Sequence, residues 1–178
     1  HRSQSQNAAL QIDFNLIKST WLMVGLCRGY ANAFFAVLAI SWFWFLGALM
    51  LSQIPTLVKY DLMANDSVAI AFLSAFSIGI AIGSGMISKL LKAQTELRLH
   101  SLFLGLISLL LILTVWLIES QSELLALKST SADLMYLTEF IVIWPLNMAL
   151  PLLLFIAVLG GAYIVPLYTL LQTQTPVE

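Results

Sequence analysis

Four stretches of this chain, residues 33–54, 68–88, 99–118 and 148–171, contain no Asp, Glu, Lys or Arg. Each is close to the roughly twenty residues that a helix needs to cross about 30 Å of hydrocarbon. A backbone in lipid has no water to bond to, so its peptide groups must satisfy one another, which an α-helix does within a single segment. The expected fold is therefore an all-α membrane bundle of about four transmembrane helices. Composition agrees: 60% of the residues are hydrophobic and 10% are charged, with a mean hydropathy of +0.94. A soluble domain of this size needs far more charged surface.

The ends differ from the spans. The chain starts at His1 without a methionine, lacks the basic, apolar, small-residue order of a signal peptide, and stops at Glu178 just after an apolar stretch; it reads as an excerpt of a longer polypeptide. Residues 1–32 precede the first span. Within them Leu10, Phe14, Ile17, Trp21 and Val24 recur at helical spacing, with Gln11, Asn15 and Lys18 on another face, the pattern of a helix lying in the headgroup region.

Orientation follows from the basic residues. Arg2, Lys18 and Arg28 precede the first span and Lys89, Lys92 and Arg98 fill the loop after the second, whereas Lys59 and Lys128 alone occupy the other two loops. Cytoplasmic loops carry the excess of Lys and Arg, so both ends and the 89–98 loop are expected in the cytoplasm. The 119–139 loop, with Glu119, Glu123, Asp133 and Glu139, then faces outward.

In the second span Ala71, Ala75, Gly79 and Gly83 repeat every four residues, and Ser77, Ala81 and Gly85 form a neighbouring row. Small residues let helix backbones approach closely, so this span is expected to pack tightly, either statically or as a sliding surface. The first span holds Trp42 and Trp44 near its middle, although membrane tryptophans usually collect at the interfaces. Trp42, Leu49 and Gln53 share one helical face and suit the wall of an amphiphile cavity; bulky lipid-facing filler fits them equally, and Gln53, just before Pro55, equally suits capping the backbone that the proline frees. The fourth span carries Gly160, Gly161 and Pro166. Proline clashes with the carbonyl four residues back, so a kink is expected near Ala162, with Tyr163, Tyr168 and Gln172 placed to use it. An interfacial or re-entrant turn is expected between Phe140 and Pro151.

No catalytic motif, metal-ligand cluster or cofactor fingerprint is visible, and the lone Cys27 excludes an internal disulfide. The basic residues are scattered, which excludes a nucleic-acid surface. No charge lies inside any span, so no proton relay is visible in this segment.

The run ISWFWFLGALMLSQIPTLVKYDL (Ile40 to Leu62), then FSIGIAIGSGMISKLL (Phe76 to Leu91) and GGAYIVPLYTLLQTQTP (Gly160 to Pro176) resemble, in that order, the C-terminal half of bacterial lysophospholipid transporters of the major facilitator superfamily. The resemblance implies that the spans are helices seven to ten of a twelve-helix transporter and that residues 1–32 link its two halves. It implies a role in moving lysophospholipid, chiefly lysophosphatidylethanolamine, across the bacterial inner membrane to the cytoplasmic leaflet for reacylation. Its implied partners are membrane lipid, the remaining transporter helices and an acyltransferase domain fused or encoded beside it. The 89–98 loop stands where the superfamily has its signature loop; Gly85, Lys89 and Glu96 remain of that pattern, and its aspartate is missing. Trp42, Gln53, Tyr163 and Gln172 are the expected cavity residues. Rival readings are the membrane anchor of a phospholipid acyltransferase, a transporter of another small amphiphile, and a small oligomeric channel.

Overall fold

The computed structural model describes residues 21, 25, 30–90, 97–129 and 133–174. Most of the expected interfacial helix, and the centre of the 89–98 loop, lie outside them. The described residues form six α-helices: α1 (Ala31–Thr56), α2 (Asp66–Leu90), α3 (Leu97–Glu119), α4 (Ser122–Ser129), α5 (Leu137–Val142) and α6 (Ala149–Gln174). Helices α1, α2, α3 and α6 are long and apolar enough to cross a membrane. They overlap the four expected spans, and several hydroxyls within them are satisfied at home. Ser77, Ser108, Thr114 and Thr169 each donate to the carbonyl four residues earlier, and Ser84 to the one three earlier. In hydrocarbon this removes the cost of an unpaired donor.

Helix α6 is the hub: it packs on α1, α2 and α3, and its contact with α2 is the most extensive in the molecule. The cause lies in the small residues. A Cβ at Gly79 would stand 2.6 Å from both the Ala157 Cβ and the Leu154 carbonyl oxygen, and one at Gly83 would run into the Val158 carbonyl. From the other side, a Cβ at Gly161 would meet the Ile80 carbonyl. Backbone lies directly against backbone. Ala75 is buried in the same row, Ala71 is partly buried, and Ser77, Ala81 and Gly85 are exposed. Helix α6 runs unbroken through Pro166, whose ring leaves the Ala162 carbonyl without its usual intrahelical donor. Pro151, in the first turn, removes a donor that has no partner there anyway.

One end of the bundle is closed by a folded cap. Pro55 takes one donor out of the last turn of α1, and the chain widens into a single π turn, Leu57–Asp61. Leu62 N–H donates to the Leu57 carbonyl (2.9 Å) and Ala64 N–H to that of Val58 (2.9 Å), around a left-handed Met63 with φ 47°. The chain then pairs with residue 135: Asn65 N–H donates to the Met135 carbonyl and Met135 N–H to that of Met63, at 3.0 and 2.8 Å. Asn65 caps α2, its Oδ1 accepting from the backbone N–H and the hydroxyl of Ser67. That hydroxyl oxygen in turn accepts from Leu137 N–H at the start of α5, 3.2 Å away.

The 119–139 segment, expected as a long loop, therefore contains α4, a short paired extended stretch and the start of α5. Phe140, Leu62, Met135, Leu146, Val58 and Val68, the largest fully buried side chains, all lie at this end. Between Phe140 and Pro151 the chain does turn, through a cis Trp144–Pro145 bond and a 3-10 turn at Leu146–Met148. The turn is packed on the bundle rather than laid beside it, with the Phe140 ring edge-on to Phe72 of α2 at 5.8 Å.

Candidate functional site

A side chain on a membrane helix has three fates: packed on another helix, facing lipid, or lining a gap that neighbouring helices fail to close. The gap here lies between α1 and α3, which both lean on α6. Two cavities of about 180 and 300 Å³ occupy it, and they share Met50, Leu111 and Ile156 as a common wall. Together they make one cleft. On α3 it runs from Leu104 to Ile118, about 21 Å at the helical rise of 1.5 Å per residue. Phe76 and Ile80 of α2 and Ala157 and Gly160 of α6 line the smaller cavity from behind.

Both ends of the cleft are shut. At one end Ile40, Tyr163, Ile164 and Leu167 are buried together, with Phe43 and Phe103 packed against them, so that α1, α3 and α6 meet. At the other, Ile54, Phe72, Leu117 and Leu153 belong to the core beneath the cap, with Leu57 and Ile118 packed against it. Access is sideways, between α1 and α3.

The walls are almost wholly apolar. No polar or charged side chain is buried among the described residues apart from tyrosine. The exceptions lining the cleft are the Trp42 and Tyr163 heads in the smaller cavity and Gln53 and Thr114 in the larger. Thr114 spends its hydroxyl proton on the Leu110 carbonyl, 2.8 Å away. Gln53 is exposed at the rim. Tyr163 is buried, its ring against Phe43 with centroids 5.7 Å apart. Such walls suit an apolar group and disfavour a charged one. Among the described residues no group of three His, Cys, Asp or Glu side chains comes together that could hold a metal ion.

Of the four residues expected to line a cavity, Trp42, Gln53 and Tyr163 border this cleft. Gln172 does not: it is exposed, nine residues past Tyr163, or about 14 Å further along α6. Leu49, placed by its spacing on the face of Trp42 and Gln53, also lines it. Tyr168 has another task. Its hydroxyl accepts a hydrogen bond from Trp44 Nε1 at 3.0 Å, tying α1 to α6 on the outer surface of the bundle. The apolar lining residues, Phe43, Met50 and Ile156 among them, carry no mark in the sequence that separates them from lipid-facing filler. Gly160 and Gly161 do show, and their roles divide: Gly161 admits α2, and Gly160 faces the Phe43 ring.

Compared with models of protein families, with curated proteins and with solved structures, the chain matches none of them. The fold shown by the coordinates is all-α with four helices able to span a membrane.

Proposed function

We propose that this chain is part of a secondary transporter of the major facilitator type that moves a lysophospholipid, such as lysophosphatidylethanolamine, across the bacterial inner membrane to the cytoplasmic leaflet for reacylation. The observation that carries the reading is the cleft: an apolar furrow, closed at both ends and open sideways, within helices of membrane-spanning length. A single-chain lipid has one tail to bury, and a tail in one leaflet reaches over about 15 Å, half the hydrocarbon thickness. The furrow is long enough for it. The sequence runs that resemble lysophospholipid transporters include much of this lining, from Trp42 to Leu57 and from Gly160 to Tyr163. In this reading substrate enters from the bilayer, and alternating access exposes it to one leaflet and then the other. Partners are then the remaining helices of the transporter and an acyltransferase that consumes the delivered lipid.

The test is uptake of labelled lysophosphatidylethanolamine by spheroplasts expressing the protein. Filling the cleft with Gly47→Leu and Gly47→Phe, where an added side chain has open space, should reduce uptake at least tenfold at equal membrane abundance. Unchanged uptake in both variants would remove the cleft from the transport path.

A further inference from the structure

We infer that the cleft takes only the hydrocarbon tail of its ligand and measures the tail's length against a floor made by Phe43 and Tyr163 over Gly160, leaving the headgroup at the Gln53 rim. The inference rests on the transport reading and adds what sets chain-length preference.

Charge complementarity excludes the headgroup from the interior. Neither cavity is lined by a charged side chain, and a phosphate or ammonium moved into such walls would lose its hydration without a partner. Only the tail can enter. The amide of Gln53 at the rim offers both a donor and an acceptor to whatever remains outside.

Both ends are packed shut, but Gln53 is exposed and Tyr163 is buried, so a tail entering sideways lies with its head at Gln53 and its tip at Tyr163. The Tyr163 end stops on side chains from three helices: Ile40 and Phe43 from α1, Phe103 from α3, and Ile164 and Leu167 from α6. Phe43 and Tyr163 stand at its surface, since both line the smaller cavity. The floor has no slack beneath the ring, because atoms of Phe43 lie 3.3 Å from where a Cβ on Gly160 would be. A longer tail therefore meets closed packing, while a shorter tail leaves apolar wall uncovered.

The experiment is equilibrium binding of saturated lysophosphatidylethanolamines of graded chain length to the purified protein in detergent, by displacement of a fluorescent lysolipid. Affinity should rise about fourfold per methylene up to one length and then stop rising. Phe43→Ala, and the milder Phe43→Leu, should move that break to longer chains by lowering the floor. Gly160→Val should move it to shorter ones by driving the Phe43 ring into the cleft. Replacing ethanolamine by choline at fixed chain length should leave the break in place.

Affinity that climbs without a break, or a break that stays put in variants that melt and migrate like the parent, overturns the ruler while leaving uptake intact. Failure of transport shows separately, as absent uptake by the unaltered protein, whatever the binding profile.

Discussion

Adding one methyl group at Gly83 tests whether the α2 and α6 backbones really touch. At the neighbouring Gly79 a Cβ would lie 2.6 Å from the Ala157 Cβ and the Leu154 carbonyl oxygen, where ordinary contacts begin at 3.4 Å. To make room the helices must part by about 1 Å, and a gap of that size forfeits roughly a quarter to a half of each dispersion contact along the seam. Overpacking of this kind costs about 1–3 kcal/mol. Alanine's better helix propensity returns up to about 1 kcal/mol, so Gly79→Ala should lose about 1–2 kcal/mol. Gly83→Ala should lose about 3 kcal/mol, since its Cβ meets the Val158 carbonyl, backbone that cannot swing away. The control is Gly85→Ala, where a Cβ meets nothing within 4 Å and stability should hold or rise. Reversible unfolding in mixed detergent micelles reads these differences at about 1.4 kcal/mol per tenfold change in equilibrium constant. If Gly83→Ala and Gly85→Ala unfold at the same denaturant concentration, the two helices do not pack as described.

Two further outcomes follow from other contacts. The Trp44 to Tyr168 bond should give a coupling energy of about 0.6 kcal/mol in a double-mutant cycle of Trp44→Phe and Tyr168→Phe, measured by the same unfolding; zero coupling would mean that the bond is not formed in detergent. Phe140→Ala opens a hole in the fully buried cap and should cost about 3–5 kcal/mol. Hydrogen exchange should accelerate first at the amides of Asn65 and Met135, and acceleration confined to α6 would contradict the cap's role.

The four long helices were legible because absence of charge over twenty residues leaves a backbone few alternatives. The α2 seam was legible for a related reason, since Gly79 and Gly83 are where a helix can lose its side chains to gain proximity. The cap was not. Its residues, Met63, Met135 and Phe140, are ordinary apolar residues between charged ones, and their pairing joins positions about seventy apart. Asn65 caps α2 through Ser67 two residues on, and nothing local says that Ser67 also receives Leu137 N–H. The cleft was half legible. Polar and aromatic side chains pointed to Trp42, Gln53 and Tyr163; spacing alone could not say that Gln172 lies past the packed end of the cleft, because the place where three helices meet is a property of all three.

The distribution of contacts also says which helices can move. Widening the cleft by shifting α2 against α6 would break the glycine seam and pull on the cap, whose hydrogen bonds join the start of α2 to the start of α5. Helix α1 is held differently. It meets α6 through the small cluster around Ile40 and Tyr163, the bond from Trp44 to Tyr168 and, near its far end, Ile54 in the core beneath the cap, and along the cleft its neighbour α3 is separated from it by cavity. An empty gap returns no dispersion energy, so α1 and α3 have little to lose by moving apart and apolar contacts to gain by closing on a tail. In the transport reading proposed above, the seam and cap are the fixed frame and the cleft's own walls the part that responds to a ligand.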